Sequence, residues 1–363
     1  MGFNCGIVGL PNVGKSTLFN AITQTAAAEA VNYPFCTIEP NVGRVEVPDP
    51  RLLQLAKIAS SKKIVATQIE IVDIAGLVKG ASKGEGLGNQ FLGHIRGTDA
   101  ILHVVRCFEN GDVIHVSGSV DPIRDMEIVE TELMLADLES LKKREASISK
   151  KNNADLAAEK AFLEKSIDWL ESGKMLNRLI LNDGEMPLAD PMRLITRKPV
   201  LYVCNVSENE IISGNAFTKR VEDFSKDRNS AMVVASAAIE AEIALIHDEN
   251  ERELYIQSLG LSESGLARVI RGGYGLLDLI TFFTVGAPEA HAWTTKKNSR
   301  APTAAGVIHT DFEHGFICAE TISYDDYIAH NGESGAKAAG KMRLEGKEYL
   351  VNDGDILHFR FNV

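Results

Sequence analysis

Cysteine, long apolar runs and positive charge are all scarce in this sequence of 363 residues. The five cysteines form no C-x-x-C pair, which argues against both a disulfide framework and a zinc site of the usual spacing. No apolar run approaches the ~20 residues that a membrane-spanning helix needs. The residues after Met1 lack the basic and apolar regions of a secretory signal, so we expect a cytoplasmic protein without membrane contact.

Positive charge is outnumbered, because 38 Lys and Arg oppose 50 Asp and Glu and give a net charge of -12. Neutralising nucleic-acid phosphates requires clustered Lys and Arg, so general nucleic-acid coating and sequence-specific DNA binding are not expected. A local basic patch remains compatible with this average. At ~150 residues per domain, the length predicts two or three domains.

Short apolar runs alternate with helical patterns in the first part of the chain. The runs lack strict alternation, as strands buried on both faces of a parallel sheet do. They are Asn4–Val8, Thr67–Val72, Ala100–Val105, Val200–Cys204 and Met232–Ala235. This order predicts a doubly wound α/β domain.

Two later segments depart from this alternation of strands and helices. Leucines at helical and seven-residue spacing between Arg124 and Ser172 predict an antiparallel coiled-coil hairpin, inserted in the first domain, with its turn at Lys150–Asn153. Near the C-terminus we expect strands at Phe282–Val285, Ala290–Thr294, Gly306–His309, Glu348–Val351 and Ile356–Phe361, and one helix at Ser334–Leu344. The predicted domains are therefore 1–123 with 199–277, the helical insertion 124–198, and an α+β module 278–363.

A phosphate-binding loop follows the first predicted strand. Gly9–Thr17 satisfies G-x-x-x-x-G-K-[ST] and runs into a helical pattern, which is the context that this motif needs. Its glycines let consecutive N–H groups point at phosphate oxygens, Lys15 neutralises the β and γ phosphates, and the Ser16 hydroxyl is a Mg²⁺ ligand. The predicted phosphate-binding residues are Asn12, Val13, Gly14, Lys15, Ser16 and Thr17.

Two further segments indicate a switching NTPase. Asp73 and Gly76 form D-x-x-G at the end of a predicted strand, where Asp73 would hold Mg²⁺ through a water and the Gly76 amide would sense the γ-phosphate. In the loop between the two motifs, the Thr37 hydroxyl would complete the Mg²⁺ shell. The alternative for Thr37 is a surface threonine without a role.

The base-reading residues are expected after the later strands. Asn205-Val206-Ser207-Glu208 follows the Val200–Cys204 run, and Ser236 follows the last predicted strand. These positions make Asn205, Val206, Glu208 and Ser236 candidate contacts to the nucleotide base.

The motifs together resemble those of a known family. The phosphate loop, Pro34–Thr37 and Asp73–Ala81 are similar to the Obg-related branch of translation-factor NTPases. The hairpin and the C-terminal module narrow the resemblance to the YchF, or Obg-like ATPase, subfamily, over essentially the whole chain. The resemblance implies a Ras-like domain, a coiled-coil insertion, a C-terminal TGS domain of β-grasp type from near Asp278, and association with ribosomes.

The base-reading segment favours ATP over GTP. Ras-like GTPases carry N-K-x-D, whose Asp accepts hydrogen bonds from the guanine N1–H and 2-amino groups. This chain has Val206 and Glu208 at the Lys and Asp positions, whereas Asn205 can still pair with the N7/N6 edge of adenine. We therefore expect an ATPase, which agrees with the resemblance.

Hydrolysis is expected to be slow. Leu77 occupies the position of the water-orienting Gln of Ras-like proteins, and a hydrophobic side chain cannot orient water. His115, in the loop after the Ala100–Val105 run, is the nearest polar candidate for the catalytic role, although a solvated loop histidine explains it equally well. Asn12 is a candidate for binding K⁺ beside the phosphates, as in several relatives of this branch.

Two basic stretches are candidate partner surfaces. Residues 142–151, at the predicted hairpin tip, hold five positive residues and one negative residue, and residues 291–300 place Trp293 beside three cations. Aromatic rings beside Lys and Arg suit RNA, where stacking and phosphate contacts combine. Solvated charge and a packed tryptophan are the plainer explanations.

The sequence thus predicts a Mg²⁺-dependent ATPase switch that couples ATP to ribosome or RNA binding through the hairpin tip and the TGS domain. Three alternatives remain at this point. The chain would otherwise be a GTP-hydrolysing translation factor, an RNA-binding adaptor with a structural nucleotide site, or a P-loop kinase. The kinase is disfavoured because D-x-x-G and Asn205 occur in the order of switch proteins.

Overall fold

The structure is a computed structural model that describes residues 3–30, 42–74, 87–110, 118–149 and 156–362. In chain order, its strands are β1 (Asn4–Val8), β2 (Val42–Glu46), β3 (Lys63–Val65), β4 (Gln68–Asp73), β5 (Ala100–Arg106), β6 (Val200–Asn205), β7 (Ala231–Ala235), β8 (Leu279–Val285), β9 (Glu289–Lys296), β10 (Phe316–Ile322), β11 (Arg343–Glu345) and β12 (Ile356–Phe361). Its helices are α1 (Lys15–Ala30), α2 (Pro50–Ala59), α3 (Leu87–Gly97), α4 (Pro122–Ile148), α5 (Ala157–Glu171), α6 (Met186–Ala189), α7 (Ala216–Asp227), α8 (Ala237–Ala244), α9 (Glu249–Ser258), α10 (Gly265–Leu276), α11 (Ala301–Ile308), α12 (Thr310–His314), α13 (Tyr324–Ala329) and α14 (Glu333–Ala338).

The first of two compact units contains residues 1–45 and 70–273. Its sheet has the order β2-β4-β1-β5-β6-β7, and β1, β4, β5, β6 and β7 pair in parallel. Strands β5 and β6 are buried along their whole length, which explains why their sequences run apolar without alternation. The predicted α/β class with a P-loop domain is confirmed.

A two-helix insertion belongs to this unit. Helix α4, with 27 residues, begins where the Asp121 carboxylate accepts a hydrogen bond from the Ile123 N–H at 3.2 Å. The two helices share a core with the return segment, built from Leu141, Phe162, Leu163, Ile167, Leu170, Leu176 and Leu194. The predicted turn at Lys150–Asn153 lies outside the described residues.

No helix in the described ranges is both long and apolar enough to cross a bilayer.

The second unit contains residues 46–69 and 274–363 and has a mixed sheet of order β11-β10-β12-β8-β9-β3. Neighbours β8 and β9 are antiparallel, as are β10 and β12, whereas β12 is parallel to β8. Buried residues Ala301, Ala304 and Ala305 place the α11 helix against one face of this sheet.

The boundary of this unit differs from the predicted domain division, which assigned residues 46–69 to the nucleotide-binding domain. Strand β3 pairs in parallel with β9, where Lys63 lies opposite Glu289. Helix α2 buries Leu52 and Leu55 in a core that includes Phe283. The apolar face of α2 thus packs against residues of the C-terminal part of the chain, more than 200 positions later in the sequence.

Three local predictions for the C-terminal part were wrong. Residues 306–309, expected as a strand, fall at the end of α11, because alanines at helical spacing bury that face. Residues 348–351 contribute only an isolated bridge between Arg300 and Leu350. The helix expected over 334–344 ends at Ala338, after which β11 begins at Arg343.

We expect Leu55→Ala to destabilise the second unit by about 2–5 kcal/mol, because Leu55 is fully buried and its loss leaves a cavity. Chemical denaturation followed by Trp293 fluorescence in a Trp169→Phe background measures this. Leu53→Ala is the matched control, since Leu53 is 61% exposed on the same helix. Equal losses in both variants would contradict the placement of α2 in this core.

Candidate functional site

The phosphate loop joins the central strand β1 to helix α1. Within it, Asn12 and Gly14 have positive φ angles of 62° and 94°. The Leu18 N–H donates to the Gly14 carbonyl at 3.0 Å, which starts the first turn of α1. The first N–H groups of α1, before Leu18, have no partner within the helix and point to where an anion can bind.

Gly14 permits a close approach that no other residue allows. A Cβ atom at this position would lie 2.1 Å from Nδ2 of Asn205, at the end of β6. Gly9 is constrained in the same way, because a Cβ there would lie 2.7 Å from the Val104 carbonyl oxygen. Gly14 is thus required by both packing and backbone conformation, whereas Gly9 is required by packing.

Asn205 joins three segments of the site. Its Nδ2 donates to the Val13 carbonyl at 2.9 Å, and its Oδ1 accepts from the Ala237 N–H at 2.9 Å. The side chain is buried, so it holds the phosphate loop against the start of α8. A carboxamide nitrogen carries two hydrogens, and Val13 accounts for one of them. The predicted contact of Asn205 with a base stays a prediction.

The other predicted base readers differ in exposure. Val206 and Ser236 are buried, and the Ser236 hydroxyl has no hydrogen-bond partner. Glu208 is exposed and begins a 3₁₀ turn, Glu208–Glu210. Nearby, the Tyr255 hydroxyl donates to the Glu242 carboxylate, and this bond together with burial and the Glu208 charge raises the pKa of Tyr255. Glu208 is therefore the predicted base reader that solvent reaches most readily.

Lys15 and Asp73 form an ion pair at the end of the loop. The Lys15 Nζ lies 2.6 Å from Oδ1 of Asp73, and both side chains are largely buried. The parallel pairing of β1 with β4 brings them together, because both residues follow or end strands at the same edge of the sheet. The pair joins the phosphate loop to the D-x-x-G segment, 58 positions apart, and the roles predicted for the two residues toward phosphate and Mg²⁺ stay predictions.

These residues fit a Mg²⁺-nucleotide. Ser16 and Thr17 are exposed at the start of α1, and Asp73 supplies a carboxylate across from them. Among the described residues there is no cluster of three His, Cys, Asp or Glu side chains that could hold a metal alone. A few protein oxygens suit Mg²⁺, which keeps most of its shell from phosphates and water.

Arg106 is a residue that the sequence reasoning missed. It ends β5, is 1% exposed, and donates to the carbonyl oxygens of Phe108 and Asn110, each at 3.2 Å. Burial lowers the pKa of its guanidinium, and the Asp125 charge opposes that change. Arg106 therefore organises the segment that leads toward His115. The one available signal was an arginine at the end of a run that is apolar except for His103.

Several predicted residues lie outside the described part of the chain. They are Thr37, Gly76, Leu77 and His115, together with Lys150 and Lys151 of the hairpin tip. Their roles remain predictions.

The described cations of the hairpin tip are engaged within the hairpin. Lys142 lies 2.6 Å from Glu171, Lys143 lies 2.6 Å from Glu139, and the Arg144 Nε lies 2.7 Å from Glu159. The pairs from Lys142 and Arg144 connect α4 to α5. The local positive charge of residues 142–144 is therefore largely balanced by neighbouring carboxylates.

The second basic stretch is partly packed. The Trp293 ring stacks on His291 with centroids 3.7 Å apart, and its Nε1 donates to the Thr284 hydroxyl at 2.9 Å. Lys296 and Lys297 are exposed. In this stretch the Trp293 ring is held by its contacts, whereas the side chains of Lys296 and Lys297 are exposed to solvent.

Comparison with known proteins identifies the family. Residues 4–154 match the family described as "50S ribosome-binding GTPase", and residues 279–362 match the YchF C-terminal family, described as "Protein of unknown function (DUF933)". The chain is 54% identical to the ribosome-binding ATPase YchF of Escherichia coli O157:H7 and 52% identical to that of Bacillus subtilis, over the full length of each. The chain belongs to the YchF family.

A solved YchF structure supports the fold. The YchF GTPase of Schizosaccharomyces pombe matches with a TM-score of 0.89 and 38% identity, over 99% of this chain and 98% of that one. The expected resemblance to YchF is thus confirmed over the whole chain.

We expect Gly14→Ala to abolish tight nucleotide binding by this YchF chain, because its Cβ would displace Asn205 and strain a positive φ. Titration with a fluorescent ATP analogue measures the loss. Gly93→Ala is the control, since a Cβ there has no neighbour within 4 Å and favours the α3 helix. Wild-type affinity in Gly14→Ala would show that the loop adopts another conformation when it binds phosphate.

Proposed function

We propose that this YchF-family chain is a ribosome-associated P-loop ATPase that binds Mg²⁺-ATP in preference to GTP and couples its nucleotide state to ribosome binding. The observation that carries the nucleotide site is the Lys15–Asp73 pair beside a loop held open at Gly14. Relatives named ribosome-binding ATPases support the activity and the partner.

The ion pair suggests how the chain receives ATP. The Lys15 ammonium leaves Asp73 for the β and γ phosphates, and the N–H groups of the loop bind the same oxygens. Asp73 and the Ser16 hydroxyl would be the protein groups that hold Mg²⁺, Asp73 through a water and Ser16 directly. Mg²⁺, when bound, neutralises phosphate charge and orients the γ-phosphate.

The exchange of partners by Lys15 has a physical basis. A largely buried lysine without a counter-charge is costly, so Asp73 stabilises the ammonium when no phosphate is bound. Bound triphosphate offers more negative charge than one carboxylate and replaces Asp73 without leaving Lys15 unpaired. Thr37 and the Gly76 amide would then report the γ-phosphate, as proposed from the sequence.

Hydrolysis by this site is proposed to be slow. Leu77 has no group that orients the attacking water. A polar side chain elsewhere in the protein therefore has to orient it. His115 is the candidate, and single-turnover hydrolysis at the wild-type rate in a His115→Ala variant that still binds ATP would exclude it. Asn12, with its left-handed backbone in the loop, is the candidate for K⁺.

The names of the relatives differ on whether the nucleotide is ATP or GTP. The bacterial proteins are named ATPases, whereas the fission-yeast structure is described as a GTPase. Glu208 and Val206 disfavour GTP, because they stand where guanine-binding relatives carry Asp and Lys. Because Val206 is buried, placing Lys there would bury a charge, so Glu208 is the cleaner position to test.

We expect wild-type protein to bind ATP more tightly than GTP, and Glu208→Asp to raise GTP affinity roughly tenfold, the effect of one charged hydrogen bond. Competition of ATP and GTP against a fluorescent nucleotide measures both values. Glu249→Asp, an exposed substitution on α9, is the matched control. A wild-type preference for GTP would support the alternative of a GTP-hydrolysing factor.

The ribosome contact is proposed to involve the hairpin tip and the C-terminal unit. At the tip, the cations of residues 142–144 are paired with carboxylates, so Lys150 and Lys151, which lie outside the described residues, are proposed as the contact. In the C-terminal unit, Trp293 with Lys296 and Lys297 offers stacking beside positive charge.

We expect Lys150→Glu with Lys151→Glu to weaken co-sedimentation with ribosomes, most clearly at low salt, because phosphate contacts are screened by added ions. Lys219→Glu with Lys226→Glu makes the same charge change on α7 and serves as the control. Unchanged co-sedimentation of the tip variant would remove these two lysines from the contact.

A further inference from the structure

A small cavity lies where two strands of the second sheet separate. Strands β12 and β8, whose residues are all described, share a single paired position, Ile356 with Phe283, although β8 runs on to Val285 and β12 to Phe361. Beside this opening is a cavity of about 210 Å³, the β8–β12 cavity. Sites for drug-sized ligands generally measure roughly 300–1,000 Å³. The β8–β12 cavity therefore suits one side chain or a group of similar size.

The floor of the β8–β12 cavity is apolar. Ile322 and Ile356 are buried members of the core that α2 covers, and Val285 and Met342 pack against the same core. Long side chains bury an aliphatic stem along such a surface and keep their polar head group at its edge. The floor thus offers a place for a stem, and the rim decides which head group fits.

The sheet face beside the cavity is open to solvent. Successive residues of a strand point to opposite faces, so Glu320 lies on the same face as Ile322. Glu320 is opposite Leu344 on β11 and opposite His358 on β12. Leu344 is 69% exposed, and His358 is exposed as well. Helix α2 therefore covers one part of this face, and the part that holds the cavity is accessible to a partner.

Carboxylates surround the β8–β12 cavity. Glu289 of β9, Glu320 of β10 and Glu333 of α14 are among its lining residues, and no Lys or Arg of the described chain is. Charges of one sign across an interface select a partner of the opposite sign and repel one of the same sign. The lining thus disfavours nucleic-acid phosphates and favours a cationic group on a protein.

Cations outside the lining leave part of this negative charge unpaired. Nη2 of Arg360 donates to Oε1 of Glu320 at 2.6 Å, and Nζ of Lys63 donates to Oε2 of Glu289 at 3.0 Å. Both cations are more than half exposed, so these pairs are weak. The Glu333 carboxylate has no ion pair within the described ranges. One oxygen of Glu320 and both oxygens of Glu333 are therefore available to a further donor.

We propose that the β8–β12 cavity is a docking site for an arginine side chain of a basic protein partner. The aliphatic stem lies on the apolar floor, and the guanidinium donates to Glu320 and Glu333. A guanidinium carries five N–H donors in a planar fork, which suits two carboxylates on different elements better than an ammonium does. The site belongs to the second unit, so the inference stands whether or not the proposed ATPase function holds.

Peptide titration of the full-length protein tests the site. The probe is Ac-Gly-Arg-Gly-NH₂, and ¹³C-methyl NMR of Met342, Ile322 and Ile356 reports binding, because these side chains line the cavity. We expect their resonances to shift along a saturable curve. The matched probe replaces arginine by citrulline, which keeps the shape of the side chain without its charge. It should bind roughly tenfold more weakly, the effect of losing one charged hydrogen bond.

Matched variants test the carboxylates one at a time. Glu320→Gln and Glu333→Gln each remove one charged acceptor, so each should weaken binding of the arginine peptide roughly tenfold. Each should also narrow the difference between the arginine and citrulline peptides, which a merely structural role would not do. Glu348→Gln is the control, since Glu348 belongs to the same unit, is 78% exposed and does not line the cavity. Unchanged thermal unfolding shows that the variants are folded.

Four results would overturn the proposal. If the three sets of methyl resonances do not move at about 10 mM arginine peptide, the cavity takes no basic side chain. Equal affinity for the citrulline peptide would show an apolar site without charge selection. If oligouridine moves the same resonances, the partner is an RNA. If Glu320→Gln dissociates a dimer in analytical ultracentrifugation, the occupant is a second copy of this chain.

Discussion

One buried amide fixes the geometry of the nucleotide site. The Nδ2 of Asn205 donates to the Val13 carbonyl, which is possible only because Gly14 has no side chain. The Oδ1 of Asn205 accepts a hydrogen bond from the Ala237 N–H. The loop, the end of β6 and the start of α8 thereby form one unit. Lys15 follows Gly14 directly, so the position of its ammonium beside Asp73 depends on the same contact.

The local parts of this arrangement were readable from the sequence. A phosphate loop needs glycines and a lysine at fixed spacing, and buried parallel strands need apolar runs, so β1 was predicted with the bounds that the structure has. The meeting of Lys15 with Asp73 was also predictable, because parallel strands end at a common edge. The bracing role of Asn205 was not, since its partner Val13 is 192 positions away.

Charge was harder to interpret than hydrophobicity. The sum over residues 142–151 is strongly positive, yet Lys142 and Arg144 are balanced by Glu171 and Glu159 of the facing helix. The net charge summed over consecutive residues does not count the carboxylates that a second helix places beside them. The same limit explains residues 46–69, whose apolar face indicates a helix but not which sheet covers it.

That covering sheet has a consequence for synthesis. Strand β3 pairs with β9, whose paired residues lie 226 positions later, and translation at roughly 5–20 residues per second separates the two by about 10–45 s. During this interval the nascent chain carries Leu52 and Leu55 without their final neighbours. The second sheet is therefore completed only after β9 has been made, although β3 was made early. Until the C-terminal strands have been made, the apolar face of α2 lacks the residues that cover it in the folded protein.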